Sequence, residues 1–145
     1  MIYALALATN VDRELNLNQA VEGLSQLGQL QWSAIYEIPC RDQIGADYWN
    51  CAALLESNLA CGEIVDALKQ LELRAGRIRP SHRISLDVDL IAWGETLHEM
   101  QFNAKKLPLA LDVKIPLSEL WKAEGLNVEQ HHYPQIAWNS LSKIG

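Results

Sequence analysis

No run in this sequence is long and apolar enough to cross a bilayer, which takes about 20 residues. The apolar start, Met1-Ile2-Tyr3-Ala4-Leu5-Ala6-Leu7-Ala8, falls well short of that and has no basic residues ahead of it. It therefore lacks the basic region of a secretion signal and reads as a buried strand. Cysteine is scarce: Cys40, Cys51 and Cys61 are three, an odd number with no CxxC pair. That excludes a disulfide framework and a zinc site and leaves free thiols in a reducing cytosol. Basic residues are outnumbered, 12 Lys and Arg against 18 Asp and Glu, for a net charge of −6. A general nucleic-acid or membrane-surface binder needs a basic stripe, so both are excluded. A nucleotide is not, because a few placed arginines and a metal can neutralise a triphosphate inside an acidic protein. The glycines are too scattered for a P-loop or a dinucleotide fingerprint. There is no internal repeat, low-complexity tract or Pro/Ser-rich linker, so residues 1–145 read as a single domain.

What is present is an alternation of strand and helix patterns. Ile2 to Ala8 is the first strand, and Asn10 and Asp12 are candidate caps for the helix after it. Leu17, Ala20, Val21, Leu24 and Leu27 recur at helical spacing up to Gly28. Leu30 to Pro39 reads as a second strand with Trp32, Ala34 and Tyr36 on one side, and residues 40–47 as a polar loop. Tyr48 to Ser57 is a third strand. Ile64, Val65, Leu68 and Leu71 form a helical stripe, with Glu63 and Asp66 early, Arg74 late and Gly76 at the end. After a basic segment, Leu86 to Trp93 is a further strand closed by Gly94. The order β-α-β-β-α-β predicts an α+β fold with a ferredoxin-like sheet, helices packed on it and an irregular C-terminal extension. Within that extension Pro108 and Pro116 break the pattern. Short helices are expected over Leu117 to Glu124 and Pro134 to Ile144.

Asp87 and Asp89 are the first candidates for chemistry. Strand residues two apart share a face, about 6.5 to 7 Å from each other, so two carboxylates there can share one hard cation or hold two. Leu86, Val88 and Leu90 then point into the core. Aspartate is depleted in strands, yet an edge strand guarded by inward charge accounts for the pair equally well. Arg77, Arg79 and Arg83 lie just upstream. A solvated charge run is the bland account of them, but arginine forks match phosphate oxygens, and together with a metal pair they favour phosphoryl transfer. Tyr48 and Asn50 can share a face and suit a flat heterocycle, through stacking and donor–acceptor pairing. Adjacent His131 and His132 are expected at the surface.

With those residues in place the chain resembles the 6-hydroxymethyl-7,8-dihydropterin pyrophosphokinases of folate biosynthesis. The likeness rests on Leu7-Ala8-Thr9-Asn10, Tyr36-Glu37-Ile38-Pro39, Tyr48-Trp49-Asn50, Leu71 to Arg79 and Leu86-Asp87-Val88-Asp89-Leu90, in that order. It implies a cytoplasmic enzyme that moves pyrophosphate from ATP to the hydroxymethyl oxygen of the pterin. Asp87 and Asp89 would bind two magnesium ions along the ATP phosphates, with Arg77 and Arg83 at the transferring group. Glu72, Arg79 and Leu90 would bind the nucleotide, and Pro39, Tyr48 and Asn50 the pterin. After Gly94 the family's Pro-His pair, arginine and phenylalanine are replaced, and Lys105 or Lys106 is left to supply charge to the phosphates. A second reading stays open on that basis: a catalytically reduced relative that binds a nucleotide or pterin as a sensor or partner subunit.

Overall fold

The computed structural model describes residues 1–39, 45–76, 84–123, 125–128 and 131–138. Among them are β1 (Ile2–Thr9), α1 (Arg13–Ser25), β2 (Gln29–Trp32), β3 (Ile35–Ile38), β4 (Tyr48–Glu56) and α2 (Cys61–Arg74). They are followed by β5 (Asp87–Gly94), β6 (Gln101–Phe102), a 3-10 turn (Ala104–Lys106), α3 (Leu111–Leu120) and β7 (Gln135–Ile136). The strands form one antiparallel sheet in the order β6-β5-β1-β4-β3-β7, with β2 also on β4. Taking β2 and β3 as one interrupted strand, this is the ferredoxin-like split βαβ arrangement. The β1 strand is apolar throughout because it is central, with β4 on one side and β5 on the other.

The two sheet faces bury different residues. Leu5, Leu7, Cys51, Ala53, Leu55, Val88 and Leu90 meet Leu17 and Leu24 of α1 and Ile64, Leu68 and Leu71 of α2. The opposite face is lined by Ala4, Ala6, Ala52 and Ile91 and is closed by Leu117, Trp121 and Leu126. A third helix, α3, thus covers the second face, beginning six residues before the short helix expected there.

The second strand differs from expectation. Trp32 pairs with Ala53, but Tyr36 pairs with Asn50, so the strand gains one residue against β4 between them. Ser33, buried at 2% exposure, accounts for the break. Its hydroxyl accepts from Ala52 N at 2.8 Å and donates to Ala34 O at 2.8 Å, replacing ladder bonds with side-chain ones. One extra residue inverts the alternation. Trp32 therefore packs on the helix side and Tyr36 on the other, not together.

Other boundaries shift for local reasons. Asp12 takes a left-handed φ of 44° and its side chain makes no capping bond. Asn10 does not cap either: its Oδ1 accepts from Ile84 N at 2.5 Å, and its own N–H donates to Ile84 O at 2.9 Å. It is a staple between the end of β1 and the entry to β5. Gly28 lies beyond the helix end, and its need is space, since a Cβ there would come within 2.0 Å of Glu56 O. Gly76, at φ 80°, does end α2 as a left-handed residue. The helix expected over 117–124 lies earlier, at Leu111–Leu120, with buried Pro116 inside it rather than breaking it. The described part of the segment expected as a last helix contains a two-residue strand, β7, with Ile136 opposite Ile35, and Trp138 Nε1 donates to Ser33 O at 2.8 Å. Residues 139–144 of that segment lie outside the described residues.

Candidate active site

Asp87 and Asp89 begin β5, half-buried, while Leu86, Val88 and Leu90 between and beside them are buried in the helix-side core. The apolar residues anchor the strand, so the carboxylates are held by a rigid element. Glu72 of α2 joins them. One oxygen from each of Glu72, Asp87 and Asp89 lies within 4.8 Å of the others. Glu72 Oε2 also accepts from Val88 N at 2.9 Å, which fixes the helix carboxylate against the exposed edge of β5. Such a set of hard oxygen donors suits magnesium. Lys106 Nζ reaches Asp89 Oδ1 at 3.0 Å.

The register carries the site across the sheet. Asp87 stands opposite Ala8, Ala8 opposite Asn50, and Asn50 opposite Tyr36. Next to this row, Asp89 faces Ala6, and Ala6 faces Ala52. Ala8, half-buried, therefore lies between Asp87 and Asn50, which are two strands apart, or about 10 Å at the usual strand spacing. The row has acidic groups at one end and an amide at the other.

Asn50 is 4% exposed, and its Nδ2 has no hydrogen-bond partner among the described residues. Buried polar atoms are nearly always paired, so this amide suits an acceptor that the described residues do not supply. Tyr48, half-buried, shares its face, opposite Ile38. The intervening Trp49 turns to the other face beneath Arg13, whose guanidinium lies 4.7 Å from the ring centre. Arg13 in turn binds Glu37 at 2.8 Å, so the start of β4 is braced from behind. Pro39 borders a cavity of about 280 Å³ with Ile38, Ala110, Leu111, Asp112 and Tyr133.

Tyr36 ends the row and ties α3 to the sheet. Its hydroxyl donates to Glu119 Oε1, and Glu119 Oε2 accepts from Ala34 N at 3.2 Å. Burial, then the bond to Glu119, push the Tyr36 hydroxyl above its ordinary value of 10.0. His131 is not a plain surface residue: its ring lies edge-on to Tyr36 and stacks on Tyr133, whereas His132 is exposed.

Of the residues singled out in the sequence, Glu72, Asp87 and Asp89 converge, and Tyr48 and Asn50 share one face. Leu90 has its side chain in the core at 5% exposure. Arg77, Arg79 and Arg83 lie outside the described residues, in the segment between Gly76 and Ile84. Pattern alone missed the Lys106 contact with Asp89, the place of Ala8 between Asp87 and Asn50, and the Tyr36–Glu119 tie. The second had a signal, in the alternation of Ala4-Leu5-Ala6-Leu7-Ala8.

Three carboxylates able to hold a metal ion and a buried amide two strands away are what a metal-assisted transferase of the α+β class would use. Residues 4–126 match the family model of 7,8-dihydro-6-hydroxymethylpterin-pyrophosphokinase. The chain belongs to that family, whose members transfer a pyrophosphoryl group from ATP to hydroxymethyldihydropterin in folate biosynthesis and use magnesium. It is thus a pyrophosphokinase by family, which answers the choice left open by the sequence in favour of the enzyme.

Proposed function

We propose how the residues of this chain divide the family's reaction between them. Asp87, Asp89 and Glu72 would hold the magnesium bound with ATP, two ions in all, and Ala8 would lie between them and the pterin. Magnesium supplies charge neutralisation along the phosphates, the main requirement of phosphoryl transfer. Asn50 donates its unpaired Nδ2 to an acceptor on the pterin edge, Tyr48 lies against the ring, and Pro39 bounds the pocket. The pterin hydroxymethyl oxygen is thereby directed at the β-phosphorus of ATP: the new oxygen–phosphorus bond forms as the bond to the α-phosphate oxygen breaks and AMP leaves. Arg77 and Arg83 steady the transferring group. Arg79 binds the nucleotide, and Leu90 supports the nucleotide side from within the core. Residues 1–145 act as one catalytic unit.

The observation that carries this reading is the shared row, in which Asp87, Ala8 and Asn50 are cross-strand neighbours. No helix among the described residues is long and apolar enough to cross a membrane. A cytoplasmic location, where ATP is available, belongs to the same proposal.

The test is AMP release from MgATP with and without 6-hydroxymethyl-7,8-dihydropterin, beside a variant carrying Asp87→Ala and Asp89→Ala. Pterin-dependent AMP from the wild type and none from the variant is the expected result. Equal release from both overturns the metal assignment. Binding of MgATP or pterin by folded wild type without AMP release would make this chain a sensor or partner subunit.

A further inference from the structure

Lys106 is anchored to the strand whose carboxylate it meets. Asn103 N donates to Ile91 O at 2.8 Å, and Asn103 Nδ2 donates to Leu90 O at 2.9 Å. The same side chain accepts from Lys105 N at 3.2 Å, and Lys106 N donates to Asn103 O at 2.9 Å. One asparagine thus fastens the 3-10 turn to β5 immediately after Asp89. The lysine's reach to that carboxylate is therefore built into the backbone.

The pair itself is open to solvent, with side-chain exposures of 38% for Lys106 and 29% for Asp89. Exposed ion pairs of this kind are weak and easily exchanged. Glu72, Asp87 and Asp89 crowd three carboxylates into a space where like charges repel, and Lys106 offsets part of that repulsion. A divalent ion brings twice the charge to the same oxygens. Once displaced, the ammonium remains tethered beside the phosphates that arrive with the metal.

From this geometry we propose that Lys106 is an exchangeable cation. It occupies Asp89 in the metal-free protein, yields that carboxylate to magnesium, and transfers its own charge to a phosphate oxygen of the bound nucleotide. The inference rests on the assignment of Asp87 and Asp89 as metal ligands and adds a residue that family membership does not assign. It predicts effects of opposite sign from a single substitution. A lysine that only stabilises the turn would weaken both ligands or neither.

Manganese alone, followed by loss of the free-ion electron paramagnetic resonance signal, reads the first step in the full-length chain. Calorimetry with the magnesium complex of α,β-methylene-ATP, which cannot release AMP, reads the second. Lys106→Met is expected to bind manganese alone about two- to fivefold more tightly, the span of an exposed ion pair. It is expected to bind the nucleotide complex more weakly by about tenfold or more, as loss of one hydrogen bond to a charged group predicts. Lys106→Gln should repeat both shifts, and Lys106→Arg should restore wild-type values. Manganese bound no more tightly by Lys106→Met, or nucleotide bound no more weakly, overturns the exchange. Asp89→Asn separates the two levels. If it leaves manganese binding unchanged, the metal assignment fails and the exchange with it; if it weakens manganese while Lys106→Met changes nothing, only the exchange fails.

Discussion

Glu72 on α2 accepts a hydrogen bond from the backbone N–H of Val88 on β5 at 2.9 Å. This bond holds a helix carboxylate within reach of the two strand carboxylates. The Val88 side chain points into the core, while its N–H points out along the sheet edge. Replacing Glu72 by Ala removes one oxygen donor and releases that N–H. Changes of this kind around metal ligands cost about 10- to 100-fold in affinity or activity. Glu72→Ala should therefore lower kcat/KM and manganese affinity together by that order, measured by AMP release and by titration. A loss of activity with metal affinity unchanged would place Glu72 elsewhere in the mechanism.

Asn50 should show a conflict between stability and binding. Its buried Nδ2 is unpaired among the described residues, and an unsatisfied buried donor costs about 1–3 kcal/mol. Asn50→Leu replaces the amide with an apolar group of similar shape. The ligand-free variant is expected to melt at the wild-type temperature or slightly above it, while pterin KM rises about tenfold or more. Thermal melts beside pterin-dependent kinetics decide it. A variant that unfolds would mean that Asn50 is a structural residue.

Ala8 tests the row directly. It is half-buried and stands between Asp87 and Asn50 in the register. Ala8→Leu adds bulk within the row without burying a polar group, so stability should change by no more than about 0.5 kcal/mol. Activity should fall by at least about tenfold, because reacting atoms tolerate little misplacement. Full activity in this variant would remove Ala8 from the path between the substrates.

The Tyr36–Glu119 tie gives a pH signature. Folding raises the Tyr36 pKa above its ordinary 10.0, so the folded state holds the proton more tightly than the unfolded state does. Its contribution is complete below that value and is lost as pH rises through the higher folded pKa. Wild-type stability should therefore fall on the alkaline side. Tyr36→Phe should be less stable by about 1 kcal/mol at neutral pH and should lose less on going above pH ~10. Buried Tyr3, also raised by burial, leaves a residual slope in both proteins. Melting temperatures from pH 7 to 11 test this.

The legible parts of the fold were those that repeat at a fixed period. Ile64, Leu68 and Leu71 marked α2, and Leu86, Val88 and Leu90 told which face of β5 was buried, which put both aspartates on the other. Features set by partners distant in sequence were not legible. Ser33 breaks its strand because Ala52 lies across from it, and nothing near Ser33 announces that. Pro116 sits inside a helix because the buried face of α3 outweighs one missing donor. The site follows the same division: Asp87 and Asp89 stood out by spacing within one strand, whereas Lys106 meets Asp89 only through the turn that Asn103 fastens.

The irregularity in β5 has a consequence for how this strand can change. Leu90 pairs with Leu5 but Ala92 with Ala4, so Ile91 is an extra residue, and both Ile91 and Ala92 face Leu117 and Trp121. The fault divides the strand into two segments with independent alternation. Loss of Ile91 would remove the fault and leave both the pairing of Ala92 to Gly94 and that of Asp87 and Asp89 with β1 intact. Substitutions of Asp87 or Asp89, before the fault, should register in catalysis, and those after it in folding. The chain can thus drift at one end of β5 without disturbing the other.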